Sequence, residues 1–308
     1  MRSPIRTPGL FLAILLAACS GPPREPVPLT RVVETGPLAS EDSTAAAEVP
    51  RGQVPIDPRD IGWVTALRAE ALDAATGVKL DPTVPWRADL RLVNGTRLLA
   101  VTSRTPEIRF PVGFAFPLGQ VLRDIPEAWR GAFIVAEARD REGRRVKVRA
   151  TLEYLASAAD TRSAKIKRLY VLSLPVAADA SQEAIGSRVV RRRYSYIVPV
   201  DSTVHFAVAH FPDHARSIRL TDLEDGKILW QAEVASPPGA PEPASIPPYH
   251  SETGFPLYRE HEYEIEVAER DVAQDSKRSA AVLFLYYRPP GDEEFSYPYP
   301  PEESQGAP

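Results

Sequence analysis

The chain has 308 residues, of which 44% are apolar and 25% charged, with a formal net charge of −4 and one cysteine. Those values fit a globular chain long enough for two domains, and they exclude an intrachain disulfide and the basic footprint that nucleic-acid binding requires. The 32 prolines are about twice the usual share, so long stretches must lie outside regular structure.

The first element is an address. Arg2 and Arg6 precede the apolar run "GLFLAILLAA", which is too short for a retained spanning helix, and Leu16-Ala17-Ala18-Cys19 follows directly. This arrangement resembles the bacterial lipoprotein signal. The resemblance implies that residues 1–18 are cut away and that Cys19, as the first mature residue, carries three acyl chains. Three chains exceed what stable anchoring needs. Ser20 after the cysteine resembles lipoproteins sorted to an outer membrane, so the expected partner at this end is a membrane, held through lipid. Losing Arg2 and Arg6 takes the net charge from −4 to −6, which gives no pull toward anionic lipid.

Residues 19–60 are Pro-rich and lack apolar periodicity, and they read as a flexible tether. Residues 291–308 read likewise as a disordered tail, and "SPPGAPEPASIPP" as a surface loop. Two folded blocks remain, 61–160 and 161–290.

The first block is a series of strands. "RADLRLVNGTRLLAVT" alternates around Asn94-Gly95, a strong hairpin signal. From Ile108 through Phe110, Val112 and Phe114 to Phe116 the large apolar residues occupy every second position, which predicts one extended segment with a single buried face. "FIVAEARDREGRRVKVRATLEYL" predicts a second hairpin turning at residues 140–143. The expected architecture is an antiparallel β-sandwich. On Pro111, Phe114, Ala138-Arg139 and Gly143, the block resembles the carboxy-terminal periplasmic β-sandwich of the cytochrome c maturation assembly factor that holds apocytochrome, and also small β-sandwich lipoproteins.

The second block continues in β: "RLYVLSLPV", "YSYIVPV", "VHFAVAHF", "SIRLTDL", "KILWQAEV", "EYEIEVAE" and "AAVLFLYY" are strands, with a tight turn at Asp225-Gly226. The whole chain is thus expected to be all-β, with two antiparallel sandwiches. "VHFAVAHFPDHARSIRLTDLEDGKILWQ", with "YHSETGFPLYREHEYEIEV" and "SAAVLFLYY", resembles the carboxy-terminal copper-binding domain of type II, ascorbate-dependent monooxygenases. That resemblance implies a Cu(I) site of two histidines one residue apart and a methionine. His210 falls on the first histidine, but Pro212 occupies the second position and Ala280 or Ala281 the methionine position. His205, His210 and His214 are the candidate metal ligands that remain; in a continuous strand His205 and His210 point to opposite faces, and sharing an ion would need a bulge.

Other chemistry is sparser. Asp222 and Glu224 flank a turn, and His261 sits among Glu260, Glu262 and Glu264 on what reads as a charged edge strand. Arg191 to Arg193 are expected to pair with that acidic strand or to face lipid phosphates. No Gly-rich phosphate loop, Ser-His-Asp order or paired-cysteine site is present. The functional expectation is a lipid-anchored, non-enzymatic envelope module presenting two sandwiches to a protein or small-ligand partner, with copper handling or a structural envelope role as alternatives.

Overall fold

The computed structural model describes residues 27–38, 51–57, 61–81, 83–138, 144–156, 166–176, 181–185, 189–210, 215–234, 247–270 and 281–291. Residues 1–26 with Cys19, the Pro212–His214 loop, Ala280 and the tail from residue 292 lie outside them. The described chain is all-β. Its first sandwich runs through β1 (Leu29–Glu34), β2 (Arg51–Ile56), β3 (Ile61–Asp73), β4 (Trp86–Leu92), β5 (Arg97–Thr102), β6 (Glu107–Arg109), β7 (Phe114–Ala115), β8 (Ala132–Ala138) and β9 (Val146–Ala156). One sheet has the order β1-β9-β3-β6 and the facing one β2-β8-β4-β5.

β10 (Lys167–Arg168) then pairs in parallel with β7 and leads to the second sandwich. That unit contains β11 (Tyr170–Val176), β12 (Ser181–Ile185), β13 (Val189–Ile197), β14 (Ser202–His210), β15 (Ala215–Asp222), β16 (Lys227–Glu233), β17 (Tyr249–Leu257), β18 (Glu262–Arg270) and β19 (Ala281–Arg288). Its sheets are β11-β19-β14-β17 and β12-β13-β18-β15-β16. With the short β7 and the added β12 set aside, both sandwiches have one wiring. Apart from the β4–β5 and β15–β16 hairpins, successive strands cross between the two sheets, and the last strand returns beside the first, which is the double Greek key of a jelly roll.

Three expectations are corrected here. The segment read as a tether contributes β1 and β2, which add to the sheets mainly through backbone pairing with β9 and β8 and show little apolar periodicity. The expected hairpin of residues 132–156 does not form, because β8 pairs with β2 and β4 while β9 pairs with β1 and β3 in the opposite sheet. The alternating run from Ile108 to Phe116 is broken by a turn: Phe114 N–H donates to the Pro111 carbonyl (3.0 Å), Gly113 has φ of 80°, and Val112 is 91% exposed. That is the type II pattern, with glycine at the position that needs positive φ. The hairpin at Asn94-Gly95 is present, with Leu90 opposite Leu99.

α1 (Leu118–Asp124) was not evident in the sequence. It lies so close to β3 that a Cβ on Gly119 would come within 2.9 Å of the Ile61 carbonyl oxygen. Among the described residues no helix is long and apolar enough to cross a membrane.

The two sandwiches share a core. In β19, Ala281, Leu283, Leu285 and Tyr287 belong to the core of the second sandwich, whereas Val282, Phe284 and Tyr286 belong to that of the first. A continuous apolar run is what a strand needs when both of its faces are covered. β14 divides similarly, with Ala207 and Ala209 on one side and Phe206 and Val208 on the other. At the seam Phe110, Phe206 and Tyr286 form a mutual edge-to-face triangle with centroids 5.0–5.6 Å apart. The Tyr286 hydroxyl donates to the Leu98 carbonyl at 3.1 Å.

Candidate functional site

The histidines of β14 lie along this seam. The strand carries a bulge, since its register shifts between Val204 and Phe206: His205 is the extra residue against β19, whereas against β17 the surplus lies in Ser251–Gly254 of that strand. Both rings therefore face the first sandwich, which the simple alternation did not anticipate. The bulge does not unite them. Five residues of extended strand, roughly 16 Å of backbone, separate the two positions, and each ring has its own surroundings. His205 Nδ1 lies 3.1 Å from the Ser251 carbonyl, and its ring packs 4.4 Å from that of Phe114. Burial lowers its pKa, with the charges of Arg288 and Lys167 acting the same way.

His210 is buried beside Phe284, 5.3 Å between ring centroids, and among the described residues neither ring nitrogen has a hydrogen-bond partner of good geometry, the Ala100 backbone being the polar group that bears on the ring. Burial pushes its pKa down to about 3, Arg87 and Arg97 adding to that and Asp89 opposing it. Asp89 is 1% exposed and engages Arg87 Nε at 2.6 Å, Arg91 Nη2 at 2.5 Å and Arg97 Nε at 3.6 Å. A cation at His210 would meet this excess of guanidinium charge. His214 and Pro212 lie outside the described residues. The buried Asp89 was missed in the sequence, although "RADLR" carries the signal: alternate residues of a strand share a face, so Arg87 and Arg91 flank Asp89.

Beside the histidines the seam opens into a groove of about 540 Å³. Phe110, Val112 and Phe206 supply apolar lining, and Glu107, Arg109 and Glu252 supply its charges. Among the described residues β6 is an outer strand of its sheet and β17 an outer strand of its own, so two sheet edges border the groove. Arg109 is bound at both terminal nitrogens to Glu153 (2.8 and 2.7 Å) and at Nε to Glu107 (2.7 Å). Those bonds raise its pKa and hold the Glu153 carboxyl below its usual range.

The acidic strand β18 is central, between β13 and β15, and not an edge. Its outward carboxylates meet arginines of the flanking strands: Glu266 lies 3.0 Å from Arg193, 3.0 Å from Arg219 and 3.7 Å from Arg191. Arg192 turns inward to a buried pair with Glu269 at 2.9 Å. The three consecutive arginines thus all reach carboxylates of β18. At one end of this sheet His261 Nδ1 lies 2.8 Å from Asp222 Oδ2, which raises the pKa of His261.

No family model matches the chain, and no curated protein matches it. Among solved structures it is similar to PNGase F, a glycosylasparaginase from Flavobacterium meningosepticum, at 10% identity over 85% of this chain and 96% of that one, with a TM-score of 0.39. It is also similar to PBCV-1 VP54, fitted into a reconstruction of the virophage Sputnik, at 8% identity over 86% and 94% of the two chains, with a TM-score of 0.37. Likenesses at these scores carry no argument about function, and the architecture rests on the sheets described above.

Proposed function

We propose that the chain is a non-enzymatic binding module of the bacterial cell envelope, anchored at the outer membrane through lipid on Cys19, that presents its joined sandwiches to a protein partner. The observation that carries this reading is the groove at the seam. Its walls come from both sandwiches, their shared core fixes the walls relative to each other, and the edges of two strands that are outermost among the described residues, β6 and β17, border it. Such edges receive an extended polypeptide as an added strand, while pockets between them select its side chains. Among the described lining residues Glu107 and Glu252 stand against Arg109, an acidic excess that favours a segment carrying lysine or arginine.

Two measurements test the reading. Labelled palmitate should enter the full-length chain and be lost in Cys19→Ser; persistent label would remove the anchor. A photo-crosslinking residue at Val112, in the groove, should capture one defined envelope protein in intact cells, whereas the same residue at exposed Val78 should not. Equal capture at both positions would refute the groove as the contact.

A further inference from the structure

We infer that Asp222, Asp225 and His261 form a binding site for a divalent transition-metal ion of the zinc type, remote from the groove and from the β14 histidines. One ligand atom from each of the three residues lies within 4.8 Å of those of the other two. A common ion with metal–oxygen and metal–nitrogen distances of about 2.0–2.2 Å requires atoms gathered at this scale.

The residues come from two loops that the fold holds together. Asp222 ends β15, and Asp225 sits in the turn to β16; His261 lies in the turn before β18. Leu223 N–H donates to the Glu262 carbonyl at 2.9 Å, linking the two turns by backbone, and His261 N–H donates to the Tyr258 carbonyl at 3.1 Å. Asp222 is nearly fully buried, and its Oδ1 accepts from the amides of Glu224 (3.1 Å) and Asp225 (3.4 Å). That leaves Oδ2 aimed at the imidazole, 2.8 Å from Nδ1. One carboxylate is therefore fixed before any ion arrives, which removes part of the ordering cost of binding.

Asp225 supplies the third ligand atom. Its side chain is exposed and takes part in no hydrogen bond or ion pair among the described residues, yet its carboxylate stays within ion-sharing distance of the buried Asp222 carboxylate. Two like charges at that distance repel, and an exposed side chain is free to turn toward water. Attraction to the His261 imidazolium offsets part of that repulsion, and an ion held by all three residues offsets more of it.

Two carboxylate oxygens and an imidazole nitrogen form a mixed oxygen and nitrogen set that suits zinc, with water in the remaining positions. Magnesium and calcium favour oxygen ligands alone and should bind weakly. The ion takes the place of the proton between Nδ1 and Oδ2: an imidazolium at His261 releases its Nδ1 proton to solvent, keeps the one on Nε2, and gives the freed lone pair to the metal.

The test is competition for Zn²⁺ between the full-length chain in detergent and a chromophoric chelator, with Mg²⁺ as the comparison ion. One Zn²⁺ should bind per chain, and Asp225→Asn and His261→Gln should each weaken binding at least tenfold. Asp225 is exposed, so its variant should fold as the parent does, which the thermal midpoint without metal will check. Zn²⁺ should raise the midpoint of the parent and leave that of Asp225→Asn unchanged. Absence of stoichiometric binding, or binding of equal strength in Asp225→Asn, would overturn the site and leave the trio as a turn closed by a hydrogen bond.

Discussion

His210 is a neutral imidazole in a place where charge is costly, and that has a consequence for acid stability. Its pKa in the folded chain is about 3, against an ordinary value of 6.5. Below pH 6.5 the unfolded chain takes up a proton that the folded chain refuses, so stability falls as the pH drops from about 6.5 toward 3. His205, shifted the same way, adds to the loss. His210→Leu removes the larger part. At pH 7 it should be close to neutral or slightly stabilising, because two buried nitrogens that lack a well-formed hydrogen bond among the described residues are replaced by an apolar group. At pH 4.5 the variant should gain about 2–3 kcal/mol relative to the parent, at roughly 1.4 kcal/mol per pH unit. Urea unfolding at the two pH values measures the difference, and equal acid sensitivity of parent and variant would show that His210 is not the group responsible.

At the scale of elements, what the sequence made legible was the alternation of single strands and the turns that demand special residues. Asn94-Gly95 and Asp225-Gly226 announced their hairpins because those turns need positive φ, and Gly95 and Gly226 have it. Partner choice was not legible, since β8 and β9 alternate well but nothing in either says that they belong to opposite sheets. The same limit hid β1 and β2 and placed β18 at an edge, although its glutamates are met by arginines on both neighbours. For the site, the histidine strand stood out, but the bulge that aims His205 did not. Opposite it in β17, Ser251–Gly254 form an irregularity of their own in which Gly254 has φ of 72°. A Cβ there would fall 2.4 Å from the Val204 carbonyl oxygen and 2.6 Å from Thr203 Cγ2. Gly254→Ala should therefore cost about 2–3 kcal/mol or more, since backbone strain and overlap act together. It should also weaken crosslinking from Val112, because Ser251 and Glu252 line the same groove. An alanine variant as stable as the parent would mean that the irregularity relaxes at little cost.

The molecule as a whole repeats one eight-strand wiring twice and joins the copies through strands buried on both faces. Two jelly rolls linked only by chain would unfold independently, each with its own midpoint. Here the first core includes Phe206, Val208, Val282, Phe284 and Tyr286 from strands that also build the second core, so neither half can open without exposing apolar surface of the other. Unfolding should accordingly be one cooperative transition, with the calorimetric enthalpy equal to the van't Hoff value. Phe206 is the point at which to test the coupling, because it is fully buried in β14 and packs edge-on against both Phe110 and Tyr286. Phe206→Ala should cost about 3–5 kcal/mol. Tryptophan reports each half separately, with Trp63, Trp86 and Trp129 in the chain of the first sandwich and Trp230 in the second. In a Trp230→Phe background fluorescence follows the first sandwich, and with Trp63, Trp86 and Trp129 replaced by Phe it follows Trp230 alone. If the seam couples the halves, Phe206→Ala lowers the denaturation midpoint seen by both probes equally. A shift confined to the first sandwich, with Trp230 unfolding at its original midpoint, would mean that the shared core is a contact between independent domains, and the groove would then have no fixed walls on which to build a binding site.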